Sequence, residues 1–214
     1  MTLTTIAAST ALVATQPIWA ALIARAMGVR ISSRVWIGIA IAFSGVIVLT
    51  GVDLSVDPAH LWGDALALVG AVFSAAYVSV AERVRKTVDT STTTFVLYAV
   101  SAVTILPLVF IFGQQLVGFD AQAWALILAV TLGAQLLGHS MMTRVLSSTS
   151  ATVVSLAILF EMPGATLVAA IWLGQVPPLA LLPAAGLILA GLVIVIKAAD
   201  RGPAAATVTE TSPM

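Results

Sequence analysis

The segment GVRISSRVWIGIAIAFSGVIVLTG, from Gly28 to Gly51, decides how this chain is read. Two arginines, Arg30 and Arg34, open it, and an apolar run from Val35 to Thr50 follows before the closing glycine. An apolar run with basic residues at one end only has the form of a membrane helix whose basic flank stays on the cytoplasmic side. The pattern continues in both directions. Further apolar stretches cover approximately Leu3–Ala24, Leu61–Ala81, Thr94–Phe112, Trp124–Thr143, Ala151–Leu173 and Leu179–Ile196. All nine basic residues fall at alternate connections: Arg25, Arg30 and Arg34; Arg83, Arg85 and Lys86; Arg144; Lys197 and Arg201. The intervening loops, around residues 51–60, 113–122 and 175–178, contain no Lys or Arg. Seven spans with one labelled face follow, with the N-terminus outside and the C-terminus in the cytoplasm.

Composition points the same way. The 214 residues are 60% hydrophobic and 8% charged, well below the roughly 25% charge of a soluble domain. Helices are expected rather than barrel strands, because the apolar runs do not alternate and lipid tolerates no unpaired backbone. Trp36, Trp62, Trp124 and Trp172 lie near span ends, where interfacial belts form. A zero net charge gives no footprint for nucleic acid, and the absence of Cys excludes disulfides and thiolate metal sites. The expectation is an all-α polytopic helix bundle of a cell (inner) membrane, with the lipid bilayer as its surroundings.

An internal repeat gives the bundle its logic. Pro17 and Pro163, Gly28 and Gly174, and Gly45 and Gly191 are each separated by 146 residues. Ser9/Ser155, Ala11/Ala157 and Ala24/Ala170 keep the same offset. The Pro and Gly matches carry most weight, because they punctuate mid-helix, the following turn and the face of the next helix. The repeated turn is basic in the first copy and free of Lys and Arg in the second, so the copies lie in opposite orientations. Inverted repeats that rock against each other are a transporter signature. The second unit starts near Leu61, so its partner would start about 85 residues before Met1 at the same offset. Residues 1–52 are accordingly read as the last two helices of a first unit, and 53–60 as an extracytoplasmic loop. Residues 61–197 are read as a complete five-helix unit, and 198–214 as a disordered cytoplasmic tail. The missing helices would be absent from a fragment, or supplied by a separate piece or a homodimer partner.

The Gly28–Gly51 segment resembles the end of an EamA domain, the repeat unit of the drug/metabolite transporter superfamily. Gly63-Asp64-Ala65-Leu66-Ala67-Leu68 resembles the start of the second unit. Phe160-Glu161-Met162-Pro163-Gly164-Ala165 with Leu173-Gly174-Gln175 is similar to its penultimate helix. The resemblance implies ten helices as two inverted five-helix units, acting as a secondary carrier of small metabolites, amino acids or drugs. Where the family often has Glu after the turn glycine, this chain has Val29 and Gln175.

Glu161 is the sharpest candidate for chemistry. It lies about ten residues into its span, near the midplane, with Ala157 and Ala165 one turn either side. A charged residue at that depth costs roughly 2.5–3.5 kcal/mol on insertion scales and should face the bundle interior. There it could exchange a proton or bind an amine; the competing reading is a structural Glu beside the Pro163 break. Pro17 and Pro163 each remove a backbone donor in mid-helix, giving either site-lining breaks or packing kinks. Gln16 stands beside Pro17 and could face the same cavity. Thr131, Gln135 and His139 form an i, i+4, i+8 stripe that should face protein or water, as a proton relay or an interhelical hydrogen bond. Tyr77 with Ser74, and Tyr98 with Ser101, are further pathway candidates or polar packing contacts. Gly38/Ala42, Gly70/Ser74 and Gly186/Ala190 are small-residue pairs for close helix approach. Asp53, Asp57, His60, Asp64 and Asp120 sit toward the outer face, and Asp57 with His60 is too few for a metal site.

No nucleophile–base pair marks an intramembrane protease, no buried Lys marks a retinal receptor, and no phosphate cradle encodes ATP-driven transport. No enzyme activity, cofactor or metal is expected. The expected function is export of a small-molecule substrate by alternating access, with proton coupling through Glu161. The alternative is a non-transporting partner subunit of a membrane complex, or an inactive fragment.

Overall fold

The computed structural model describes residues 6–51, 60–174 and 176–199. Asp53, Asp57, Gln175 and the expected tail beyond residue 199 lie outside them. Helices in chain order are α1 (Ile6–Val13), α2 (Gln16–Ala26), α3 (Ser33–Thr50), α4 (Leu61–Val84), α5 (Thr90–Ile111) and α6 (Ala121–Val130). A π-helical segment (Thr131–His139) then runs into α7 (Ser140–Val145), followed by α8 (Ala151–Ile158), α9 (Glu161–Leu173) and α10 (Leu181–Ala199). Among the described residues there is no strand, and the fold is that of an all-α, polytopic membrane protein. Six rods are long and apolar enough to cross a bilayer: α3, α4, α5, α6 through α7, α8 through α9, and α10.

The first expected span, Leu3–Ala24, is not one helix. Its described part is α1 and α2, separated at Ala14–Thr15. Pro17 has no N–H to donate to the Val13 carbonyl, so the α-helical ladder cannot pass this point. The Thr15 hydroxyl instead donates to the Leu12 carbonyl at 2.6 Å and accepts the indole N–H of Trp19 at 3.1 Å. The fifth span also departs from expectation. Its Thr131–His139 stretch is π-helical, so the stripe drawn for a regular α-helix does not hold there.

The chain packs as two compact units, residues 1–76 with 155–214, and residues 77–154. In the first unit the α3–α10 pair is the most extensive helix packing. Gly38 lies against Gly191, and Gly45 against Ala184, so the two helices run antiparallel. A Cβ built on Gly38 would come within 2.8 Å of the Gly191 carbonyl oxygen, and one on Gly45 within 2.7 Å of the Ala184 carbonyl oxygen. Under the 146-residue offset, Gly38 corresponds to Ala184 and Gly45 to Gly191. The contact is therefore isologous: each position meets the other's repeat counterpart, as a two-fold axis demands. Small residues at the crossing let the backbones approach, which is how helices associate where lipid removes the hydrophobic drive.

The matched turns behave alike as well. Gly28, after α2, has φ +89°, and Gly174, after α9, has φ +63°, a left-handed conformation that favours glycine. Positions 146 residues apart thus share helix breaks, left-handed turns and places in the α3–α10 crossing.

In the second unit, polar groups tie the ends of apolar helices. Asp89 caps α5, accepting the Thr92 N–H at 2.9 Å and the Thr92 hydroxyl at 2.6 Å. Those bonds, the side-chain one first, hold its carboxyl below the usual range. Glu82 accepts the Ala151 N–H at 2.8 Å and pairs with Lys86 at 3.2 Å. Arg85, buried, donates from Nε to the Thr143 carbonyl at 3.0 Å and from a terminal nitrogen to the Val88 carbonyl. These are orphan groups near helix ends that water would otherwise satisfy. Helix α6 buries no residue and α5 only Thr94, leaving apolar side chains such as Phe95, Phe110, Ile111 and Leu126 exposed. Such a surface suits hydrocarbon rather than water.

Candidate functional site

The residues singled out in the sequence form two clusters, one in each unit. In the first unit, the α1–α2 break and the α8–α9 break occupy matching positions under the 146-residue offset, to within a residue. Pro17 and Pro163 are buried just inside the second half of each broken helix. The Gln16 amide, 4% exposed, donates from Nε2 to the Ser155 hydroxyl at 3.3 Å. This buried bond joins the two broken helices across 139 residues of sequence.

Beside the breaks opens a cavity of about 760 Å³. Gln16 and Thr50 line it from the first repeat, and Glu161, Ala165 and Thr166 from the second. Glu161 opens α9 as its first residue, so its carboxylate complements the positive end of that helix. Its side chain is exposed, and it makes no hydrogen bond or ion pair among the described residues. Its repeat counterpart, Thr15, is fully engaged within its own helix. The two copies therefore present the same break with different chemistry: a self-satisfied hydroxyl in one and an unpaired carboxylate in the other. A roomy, mainly apolar cavity with a few convergent polar groups is the usual form of a small-molecule site.

The second cluster gathers Tyr77, Tyr98, Gln135 and His139. The Tyr77 hydroxyl and His139 Nε2 are 2.7 Å apart, and their rings stack with centroids at 5.7 Å. Tyr98 lies against His139 at 6.1 Å and donates its hydroxyl to the Gln135 carbonyl at 2.9 Å. Gln135 thus contributes its main chain, not its side chain. Both Gln135 and His139 belong to the π-helical segment, a geometry frequent at functional sites. Thr131 does not join: its hydroxyl turns back to the Ile127 carbonyl at 2.8 Å. Ser101 is exposed and Ser74 half-buried, and neither enters the cluster.

Two participants escaped sequence reading. Ser155 was visible only as one identity in the repeat, and nothing local marks it as the partner of Gln16. Arg85 registered as a topological charge, although it is buried and bonded at two carbonyls.

The sequence profile of the EamA-like transporter family matches residues 61–197. A solved crystal structure, described only as that of a protein, superposes with a TM-score of 0.78 at 19% identity, over 93% of this chain and 70% of its own. That likeness concerns the fold. Among curated proteins, none matches the sequence.

Proposed function

Because this chain belongs to the EamA-like transporter family, we propose that it is a secondary carrier exporting small organic molecules across the cell (inner) membrane through the cavity at its paired helix breaks. The observation that carries this reading is the unpaired Glu161 carboxylate in that cavity, beside the Gln16–Ser155 bond that joins the two broken helices. A break in each inverted copy lets the two halves of each rod move without stretching a continuous hydrogen-bond ladder. Rocking about the symmetric α3–α10 crossing would then expose the cavity to one face and the other in turn.

Glu161 would hold the substrate or a proton at the turning point of the cycle. The Tyr77–His139–Tyr98 cluster would carry protons or polar groups along its own unit. The orientation of the termini follows from the one-sided basic residues, with the C-terminus cytoplasmic. The test is flux in vesicles: Glu161→Gln should abolish substrate movement while leaving membrane insertion and yield unchanged. Flux equal to that of the parent protein would remove Glu161 from the mechanism.

A further inference from the structure

The geometry points to an amphipathic organic cation, an apolar body bearing one protonated amine, as the ligand of the Glu161 cavity. This rests on that cavity being the substrate site.

Charge sets the sign of the ligand. Among the described residues, Glu161 is the one charged group that lines the cavity, with no Lys, Arg or His beside it. Among the described residues no cation neutralises the carboxylate, and an anionic ligand would meet it unscreened. The positive end of α9, which could otherwise have drawn an anion, is already complemented by Glu161 in its first turn.

The neutral groups of the lining select by hydrogen-bonding sense. The Thr50 hydroxyl donates its one proton to the Val46 carbonyl at 2.9 Å, and the Thr166 hydroxyl donates to the Met162 carbonyl at 2.9 Å. Gln16 spends an amide N–H on Ser155. What these groups can still offer a ligand is largely oxygen lone pairs. Engaged Thr50 and Thr166 hydroxyls beside a carboxylate match an ammonium, which has three donors and no acceptor. These two hydroxyls have no proton left to offer a ligand carboxylate or phosphate.

The wall suits an apolar body. Val13, Leu49, Ile158 and Met162 are among the side chains that line it. Met162 is a flexible thioether that adapts to varied apolar shapes. The Met162 position also corresponds to Gln16 in the first repeat, so one copy places an apolar side chain where the other places an amide. An amine head directed to Glu161, with an apolar body against these aliphatic side chains, fits such a lining.

The test is equilibrium binding to the full chain in lipid nanodiscs with three fluorescent probes: dansyl-1,5-diaminopentane, its N-acetyl derivative and the analogue ending in a carboxylate. The amine should bind at least about tenfold more tightly than either relative, a difference that corresponds to about 1.4 kcal/mol. Glu161→Gln should erase that preference, and Ala165→Trp, which fills the cavity, should block the amine. Equal or tighter binding of the neutral or anionic probe, still blocked by Ala165→Trp, would overturn the cation assignment while keeping the cavity as the site. If Ala165→Trp leaves binding of every probe unchanged, the cavity is not the site and both readings fall.

Discussion

Replacing Gly191 by alanine probes the symmetric crossing on which the carrier reading turns. The added Cβ would clash with the Gly38 carbonyl oxygen and sit 2.7 Å from the Ala42 Cβ and from the Ala42 backbone nitrogen. Two of these three neighbours are backbone of a regular helix, so no side chain can rotate away. The helices must separate by several tenths of an ångström, and the neighbouring packing loosens with them. Overpacking of this kind costs roughly 1–3 kcal/mol. For a chain of this length each kcal/mol lowers the melting temperature by about 2–4 °C, giving a fall of roughly 2–12 °C. Gly186→Ala, with nothing within 4 Å of its added Cβ on the same helix, is the control and should be neutral. Two-fold symmetry adds a sharper requirement: Gly45→Ala, at the repeat counterpart of Gly191, should fall by a similar amount. Thermal unfolding in detergent, followed by loss of monodisperse protein, provides the readout. Equal melting temperatures for Gly191→Ala and Gly186→Ala would refute the crossing, and a neutral Gly45→Ala would refute its symmetry.

Removing the link between the breaks should be measurable on its own. A double-mutant cycle on Gln16→Leu and Ser155→Ala should return a coupling of about 1 kcal/mol, the worth of one buried hydrogen bond; a coupling of zero would mean the breaks are not joined. Arg85→Ala should destabilise the protein by about 1.5–3 kcal/mol, since buried carbonyls lose a charged donor, and Arg85→Lys should restore little because one ammonium cannot reproduce the guanidinium's two contacts. Full recovery by lysine in a melting experiment would contradict that geometry. Asp89 sets an acid limb. Its folded carboxyl titrates below its unfolded value, so its stabilisation is present above the unfolded pKa and disappears as pH falls through the folded one. Asp89→Ala should flatten stability against pH below about pH 4, and an unchanged profile would dismiss the cap.

How much of this was legible beforehand follows from the range of each signal. The membrane rods were readable because long apolar runs, one-sided arginines, prolines and glycines are local marks with a fixed physical meaning. Pro17 even located the break in the first span, although a continuous helix was expected there; the competing Thr15–Leu12 bond made the interruption complete. The π-helical stretch from Thr131 to His139 had no such mark, since no residue type announces an extra residue per turn. His139 and Tyr77 were both singled out, but their pairing spans 62 residues and depends on how the rods pack. The same holds for Gln16 and Ser155. The bonds of Arg85 were illegible for a different reason: its charge explains its side of the membrane equally well whether it is solvated or buried.

The chain contains no cysteine, so Ala165→Cys creates a single thiol inside the Glu161 cavity. Labelling that thiol with a membrane-impermeant maleimide, in right-side-out and in inverted vesicles, tests alternating access directly. Reaction from both faces is predicted, with Val103→Cys, 73% exposed in the middle of the apolar α5 rod, unreactive from either. Reaction of Ala165→Cys from one face only, or from neither, would contradict an alternating-access carrier built around this cavity.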